Sequence, residues 1–448
     1  MNRRTLSYAI GVLACSASGP ARGQVPQPTD SPAQESPPPP PDVAPAEPTA
    51  PAAPTAPATP TAPAAPTTPA APTAPAATPP PSPAPASQAP VSPLTHRIGD
   101  ASATIYGDLD IYFNYMHSTS GKDIVAIQDG AILRSRLGLR GDMDFGHGIK
   151  GLFTLEQGIN ATSGAPADAT RLFDRQAWVG AATPIGEFRA GRQNTEVFLR
   201  GGYIDYGERT LGAVINAFGV PSRYDGDLAY ISPRVAGVMI AAHYALQGSA
   251  VDHPATQRVY QAALDYEAGP FRIGYARVAG KPPPGSAVAT EITYDNVYAN
   301  LNYGAGKLYL VYIRSNNNGP TGDLLNGASP LGNTGTLVAG TDAGADTTYN
   351  IYQLSADYSV TSALRVGALY GWIRDDSGTA KNAHGGSAGG FYTIRNVKLF
   401  LLGDVLANSR NAGFRPIGSA GLTKPFTAAS DVNGETIAGI QLGLVYRF

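Results

Sequence analysis

The most regular feature of the chain is an alternation of apolar and polar residues in stretches of about ten. In SATIYGDLDIYFNYMH, Leu109, Ile111 and Phe113 fall on one face, while Asp108 and Asp110 fall on the other. A period of two residues is typical of a β-strand and not of a helix. One face of each predicted strand therefore meets an apolar environment, and the other meets water.

The segment AILRSRLGLRGDMDF, residues 131–145, shows this alternation most sharply. Its apolar face carries Leu137 and Leu139, while Arg134, Arg136 and Arg140 fall on its polar face. A soluble β-sandwich would bury such a face between two sheets, and burying unpaired charges is very costly. A closed sheet with a water-filled interior removes this difficulty.

We count about sixteen such segments, joined alternately by short turns and long polar loops, and this arrangement is typical of an outer-membrane barrel. The turns include residues 267–270 and 304–306, and one of the loops is 316–345. After residue 15 no apolar run approaches the roughly 20 residues that a membrane-spanning helix needs. The sequence therefore predicts an all-β fold, a transmembrane antiparallel β-barrel of about 16 strands, which is wide enough for an aqueous channel.

The last ten residues, GIQLGLVYRF, end the chain on an aromatic ring. Ile440, Leu442, Leu444, Tyr446 and Phe448 share one face of this predicted strand. Taken alone, the stretch also fits a half-buried edge strand of a soluble sandwich. Within a barrel, it becomes the last strand, with its apolar face towards lipid and its partner the first strand.

The N-terminus reads as a secretory signal peptide over residues 1–23. Arg3 and Arg4 precede a short apolar core at residues 6–14, and Ala21-Arg22-Gly23 offers a cleavage site before Gln24. Residues 12–15, VLAC, also resemble a lipoprotein cleavage box, although Leu13 fits it poorly. Lipidation of Cys15 therefore stays open.

A segment rich in proline and alanine follows, at residues 24–93, and holds 26 of the 40 prolines. With little to bury and few amide donors, it should be a disordered, polyproline-like linker with a reach on the order of 200 Å. It is either a plain spacer or an arm that contacts peptidoglycan. The third predicted segment, the barrel itself, occupies residues 94–448.

Composition excludes several kinds of function. The net charge of −2 argues against a nucleic-acid partner, and a single cysteine excludes an intrachain disulfide. The six histidines lack the spacing of a metal site, and no convergent Ser/His/Asp set is visible. We therefore predict no catalytic residues, no metal and no cofactor.

Two stretches carry a family resemblance: SRLGLRGDMDFGHGIKGLFTLEQGIN at residues 135–160 and RQAWVGAATPIGEFRAGRQNT at 175–195. They resemble the general porins of Gram-negative bacteria, especially the β-proteobacterial type, and the likeness covers residues 102–448. It implies a homotrimer of barrels in the cell outer membrane, each narrowed by a third extracellular loop folded into the lumen. Lipid and lipopolysaccharide would surround it. Tyr446 and Phe448 would form the signal that the outer-membrane assembly machinery reads.

The resemblance also implies a constriction in which wall arginines oppose acids on the third loop. Such opposed charges create a transverse field that orients dipolar solutes. Arg136 and Arg175 match two wall arginines, and Arg223 matches a third less closely. Asp108 occupies a wall position that is basic in some relatives, and the sign of the selectivity stays open. The predicted constriction residues are Arg134, Arg136, Arg175, Arg223, Asp205, Glu208 and Asp108.

Aromatic residues at strand ends fit the membrane-interface girdles of such a barrel. The predicted girdle residues are Tyr115, Trp178, Tyr266, Tyr303, Tyr358 and Trp372. The function expected from these features is passive diffusion of small hydrophilic solutes and ions through a hydrated pore. The alternatives are a substrate-specific channel, a barrel that anchors a peptidoglycan-binding arm, and a barrel hydrolase.

Overall fold

The computed structural model describes residues 94–246, 258–280, 291–316, 348–376 and 378–448. The predicted signal peptide, Cys15 and the Pro/Ala-rich segment lie outside these residues, as does most of the predicted loop 316–345. No helix in the described ranges is long and apolar enough to cross a bilayer.

The regular secondary structure of the described residues is almost entirely β, in one sheet of eighteen strands. The strands are β1 (Leu94–Ile98), β2 (Ala101–Ser118), β3 (Asp123–Asp129), β4 (Arg136–Gly146), β5 (Ile149–Gly158), β6 (Gln176–Thr183), β7 (Gly186–Asn194), β8 (Arg223–Ile231), β9 (Val238–Ala245), β10 (Val259–Ala268), β11 (Phe271–Gly280), β12 (Ile292–Asn302), β13 (Lys307–Ser315), β14 (Tyr349–Ser359), β15 (Leu364–Asp375), β16 (Ala383–Ile394), β17 (Val397–Asn408) and β18 (Thr436–Arg447). Two short helices, α1 (Glu196–Leu199) and α2 (Val214–Phe218), lie between β7 and β8.

The sheet closes on itself because β18 pairs with β2, from Ile437 opposite Ser118 to Arg447 opposite Asp108. Two strands add no position of their own. β1 pairs with the first residues of β2 on the same side as β18, so these two strands share one position. On the other side of β2, β4 pairs with its first half and β3 with its second half, so they share another. The eighteen strands therefore fill sixteen positions of a closed antiparallel barrel, which confirms the prediction.

The alternation predicted for the strands is present in the structure. On β18, Leu442 is 58% exposed on the outer face, whereas Gln441 and Val445 are buried on the inner face. On β2, Phe113 faces outward and Asp110 inward. Apolar side chains therefore cover the outside, and the inner face carries most of the polar side chains together with some apolar ones such as Val445.

One of the six predicted girdle residues is wrong. Trp178 lies on the inner face of β6 and is 9% exposed, and the Arg189 guanidinium carbon lies 4.4 Å from its ring centre. Its neighbour Val179 is the residue that points outward. The other five predicted girdle aromatics, listed here together, are exposed: Tyr115, Tyr266, Tyr303, Tyr358 and Trp372.

The strand predicted from residue 131 begins only at Arg136, because residues 130–135 turn into the barrel. Gly130 adopts a φ of +70°, and the Oδ2 atom of Asp110 accepts hydrogen bonds from the backbone N–H groups of Ile132 and Leu133, both at 2.8 Å. A carboxylate that binds backbone amides competes with strand pairing. Arg134 therefore reaches the interior from a loop and not from a strand.

Connections at the two ends of the barrel differ in length, as predicted. Residues 184–185, 269–270 and 395–396 are short turns at one end. The third long connection at the other end, residues 195–222 between β7 and β8, is called the third loop below. The last one, residues 409–435 between β17 and β18, is called the eighth loop. In barrels of this kind the short turns face the periplasm and the long loops face the exterior.

Replacing Phe448 with alanine should lower the fraction of chain that assembles into folded barrel. The backbone of Phe448 exchanges two hydrogen bonds with Gly107, at 3.0 and 3.1 Å, and an added Cβ on Gly107 would lie 2.4 Å from the phenylalanine ring. The ring therefore covers the seam where the first and last strands meet. Heat-modifiable electrophoretic mobility of membrane fractions would measure the folded fraction.

A matched control for this change is Phe145→Ala, since Phe145 on β4 is 62% exposed and lies away from the seam. The conductance of the Phe448→Ala barrels that do fold should equal that of the unaltered protein, because the ring lies outside the lumen. Equal folded fractions for the two variants would contradict the role given to Phe448.

Candidate pore constriction

The third loop crosses the lumen to the opposite wall of the barrel. It leaves β7 and returns to β8, yet the backbone N–H of Tyr206 donates to Ser355 Oγ on β14 at 3.0 Å. The Tyr206 hydroxyl lies 3.0 Å from Ser387 Oγ on β16. On β12, Asn300 Nδ2 donates to the carbonyl of Tyr203 at 3.0 Å. The open cross-section of the barrel is therefore divided by this loop.

The base of the third loop is held by a buried polar cluster. The backbone N–H of Glu196, at the start of α1, donates to Gln261 Oε1 on β10 at 3.0 Å. His243 on β9 lies between two carboxylates, with Nδ1 2.8 Å from Asp227 Oδ2 and Nε2 3.2 Å from Glu196 Oε1. Three neighbouring strands thereby fix the direction in which the loop enters the lumen.

The middle of the loop is held by apolar packing inside the barrel. Val214 and Phe218 on α2 are buried, and the Phe218 ring centre lies 5.5 Å from that of Tyr349 and 6.3 Å from that of Tyr294. Burying one large apolar side chain stabilises a structure by about 1.5–3 kcal/mol. The far wall of the barrel thus carries an apolar patch that retains α2.

The tip of the loop is a strained turn that Asp205 stabilises. Glu208 and Arg209 adopt φ values of +60° and +65°, a conformation that costs other residues than glycine about 1–3 kcal/mol each. Asp205 Oδ1 accepts hydrogen bonds from the backbone N–H groups of Gly207 and Arg209, both at 2.9 Å, and Gln353 Nε2 donates to Oδ2 at 3.2 Å. Burial raises the pKa of Asp205 to about 6, although these amide bonds oppose the shift.

The predicted wall residues Arg136, Arg175 and Asp108 belong to one network of ion pairs. Arg136 Nη2 lies 2.6 Å from Asp108 Oδ2 and its Nε lies 3.6 Å from Glu156 Oε2. Arg175 Nε lies 2.6 Å from Glu156 Oε1, and Arg447 Nε lies 3.1 Å from Asp108 Oδ1. Two wall acids thus pair with three arginines, so the positive charges of this network are only partly balanced.

Arg223, the first residue of β8, is 6% exposed and has no acidic partner among the described residues. Its Nη1 lies 3.4 Å from Ser222 Oγ, and its Nε and Nη2 atoms have no hydrogen-bond partner within that part of the chain. The guanidinium carbons of Arg223 and Arg209 lie 5.0 and 4.1 Å from the ring centre of Phe198. Cation–π contacts of this kind stabilise a cation without cancelling its charge.

Two cavities lie beside the third loop. The first, of about 260 Å³, lies on the side of the long loops and is called the arginine cavity. Its charged lining residues are Arg134, Arg175, Arg209 and Arg223, and no acid of the described chain lines it. The second, of about 380 Å³, opens towards the short turns and is called the short-turn cavity. Its charged lining residues are Lys307, Arg365, Arg395, Lys398, Arg447, Asp205, Glu208 and Asp357.

The two left-handed residues at the loop tip serve different cavities. Glu208 lines the short-turn cavity, where its Oε1 lies 3.4 Å from Lys398 Nζ, and Arg209 lines the arginine cavity. Burial would raise the pKa of Glu208, but Lys398, Arg447 and Arg365 hold it below its usual value. Burial lowers the pKa of Arg209 to about 10. Both groups are therefore charged at neutral pH.

The structure brings most of the predicted constriction residues to the lumen, and their part in selectivity stays a prediction. Asp205 differs from the expectation in one respect, since both of its oxygens are taken by the loop and by β14. Sequence reasoning missed Glu156, although its alternation with Leu155 would have placed it inside. It also missed Arg209, since only the acids of YIDYGERT were considered, and it missed Lys398 on β17.

Comparison with known proteins fits this architecture. A family model described as Gram-negative porin matches residues 70–400. An outer-membrane porin protein of Bordetella pertussis is 30% identical over 226 residues, which cover 46% of this chain and 57% of that protein. The major outer membrane protein P.IB of Neisseria meningitidis is 25% identical over 304 residues, 63% of this chain and 90% of that one.

Among solved structures, an anion-selective porin from Comamonas acidovorans has the same fold. The two structures superpose with a TM-score of 0.62 at 21% sequence identity, over 78% of this chain and 100% of the Comamonas chain. The family model spans more than half of the present sequence, and the barrel closes at the sixteen positions described above. The chain belongs to the Gram-negative porin family and is a β-barrel of the outer membrane.

Proposed function

We propose that the protein is a passive diffusion channel for small hydrophilic solutes with a preference for anions. The observation that carries this proposal is the arginine cavity, which four arginines and no acid of the described chain line. Arg136 and Arg175 are paired with wall acids, whereas Arg209 and Arg223 have no ion-pair partner among the described residues and add positive charge beside the third loop. The name of the Comamonas relative, an anion-selective porin, agrees with this sign.

Transport of this kind needs no catalytic step and no cofactor, because the solute gradient drives it. Charged and polar groups along the lumen replace part of the hydration that a solute loses in the narrow passage. A cavity lined by one sign of charge raises the local concentration of oppositely charged solutes. An apolar solute displaces water from these polar groups without replacing the lost hydrogen bonds, so its passage is disfavoured.

A homotrimer is the assembly that the family resemblance supports. We place the signal peptide at residues 1–23, the Pro/Ala-rich linker at 24–93 and the barrel at 94–448. Tyr446 and Phe448 remain the proposed assembly signal, and their rings stack at 6.1 Å on the outer surface. Two contacts stay predictions: that of the linker with peptidoglycan and that of the barrel with lipopolysaccharide.

A substrate-specific anion channel is the second candidate. The unpartnered Nε and Nη2 atoms of Arg223 favour it, because buried donors without partners are costly and a bound anion would satisfy them. Current that saturates with the concentration of one anion, and block of chloride current by that anion, would distinguish this candidate from free diffusion.

Arg223→Ala should shift ion selectivity towards cations, because it removes an unbalanced positive charge from the arginine cavity. Planar-bilayer recording in a salt gradient measures this shift as a change in reversal potential. The unaltered channel should give a reversal potential of the sign that marks anion preference. A channel without conductance, or one that prefers cations, would contradict the proposed function.

The matched control is Arg314→Ala, which removes the same charge outside the pore. Arg314 lies on the outward face of β13, where its side chain is 57% exposed and 3.9 Å from Asp376. Its loss should leave the reversal potential unchanged. Equal reversal potentials for the two arginine variants would contradict a particular role of Arg223 in ion selectivity.

The two acids of the third loop should give different phenotypes when replaced. Glu208→Gln removes a charge from the short-turn cavity and should strengthen anion preference without adding current noise. Asp205→Ala leaves two amide groups at the strained tip without their acceptor, at a cost of about 1–3 kcal/mol each where they stay buried. We expect frequent partial closures and noisy open-channel current. Identical single-channel traces from the two variants would refute this division of roles.

A further inference from the structure

We propose that the eighth loop is a second selectivity element, which closes the arginine cavity from outside and sets the largest solute that can pass. The inference goes beyond charge preference and rests on the barrel being a channel. Its basis is that the loop folds into the mouth of the barrel and touches the third loop on one side and the wall on the other.

The start of the eighth loop is pinned inward by Asn408 at the end of β17. Asn408 Nδ2 donates to the carbonyl of Phe414 at 2.8 Å, and its Oδ1 accepts from the backbone N–H of Phe414 at 2.9 Å. The backbone N–H of Gly434 donates to the carbonyl of Ala412 at 3.0 Å. Ala412 and Phe414 are buried, so this part of the loop does not stand out into the medium.

The pinned segment meets the third loop directly. The ring centre of Phe414 lies 6.4 Å from that of Phe218 on α2 and 6.0 Å from that of Tyr349 on β14. Asn216 Nδ2 lies 3.4 Å from the carbonyl oxygen of Ile417. The two loops and the far wall thus share one apolar cluster and hold each other in place.

Beyond this cluster, residues 417–421, called the bridge, reach the opposite side of the opening. Backbone N–H groups of Ser419 and Ala420 donate to the carbonyls of Ala131 and Gly130 at 3.4 and 3.0 Å. Arg134 Nη2 donates to the carbonyl of Ala420 at 2.8 Å. The bridge therefore connects α2 with the inward segment between β3 and β4.

The contact at Gly418 is too close for any larger residue. An added Cβ there would lie 2.6 Å from the carbonyl oxygen of Gly130 and 2.9 Å from the Cα of Ala131. Gly418 and the other four bridge residues line the arginine cavity. A solute that enters this cavity must therefore pass beside the backbone of the bridge.

Shortening the bridge tests the inference. Residues 417–421 are replaced by a shorter Gly/Ser link, while Asn408, Phe414 and the third loop stay unchanged. Entry of neutral polyethylene glycols of graded size, read from single-channel conductance, reports the width of the passage. We expect larger polymers to enter and the conductance to rise about twofold or more, because charge and size limits at such a constriction depend on its lining.

Gly418→Val provides a second variant that deletes nothing and pushes the bridge away from Gly130. The matched control places the same Gly/Ser link at residues 162–164, an exposed turn between β5 and β6 that does not line the arginine cavity. The control should keep the polymer cut-off of the unaltered channel. Both bridge variants should keep the sign of the reversal potential, since Arg209 and Arg223 remain.

An unchanged polymer cut-off in folded barrels of either bridge variant would overturn the inference. Noisy current with an unchanged cut-off would do the same, because it would make the eighth loop a brace for the third loop and nothing more. Failure of the proposed anion preference looks different, since the unaltered channel would then conduct without the expected reversal potential.

Discussion

Closure of the backbone hydrogen-bond ladder is the constraint on which the rest of this structure depends. In lipid an unpaired strand edge has no water to bind, so a spanning sheet must close. Here β18 pairs with β2 along eleven residues, and Phe448 continues the seam with Gly107. Closure fixes the register, and register decides which side chain of each pair faces lipid. In a closed sheet of this kind, the alternation in the sequence separates the residues that face lipid from those that face the lumen.

A water-filled interior then makes the inner charges tolerable. Arg136, Arg175 and Glu156 would destabilise a dry core if they were unpaired, but here they form ion pairs with one another on the wall of the lumen. The third loop is held across the lumen in a different way, by the apolar packing of α2 and by the hydrogen bonds of Tyr206. The proposed selectivity of the pore therefore depends on residues that also hold the third loop in place.

How much of the structure can be predicted from the sequence depends on how far apart in the chain the interacting residues lie. Strand positions and facing follow from local alternation, as with Gln441, and wall arginines such as Arg136 follow from parity and from the family resemblance. The inward turn at residues 130–135 does not follow, because it depends on a side chain of the neighbouring strand β2, where Asp110 binds the backbone amides of Ile132 and Leu133. Contacts between loops, such as Asn216 with Ile417, join residues far apart in the chain and leave no periodic pattern. Long-range contacts of this kind hold the third and eighth loops inside the barrel.

The most direct test of a hydrated lumen with excess positive charge is solute entry into vesicles that contain the purified protein. Swelling rates would be compared for a small neutral sugar, a monoanion and a monocation of similar size. All three should enter, at rates that fall from the anion to the cation, and larger sugars should enter more slowly. Vesicles that stay impermeable to all of them would contradict the existence of an open pore, and faster entry of the cation would contradict the charge assigned to it.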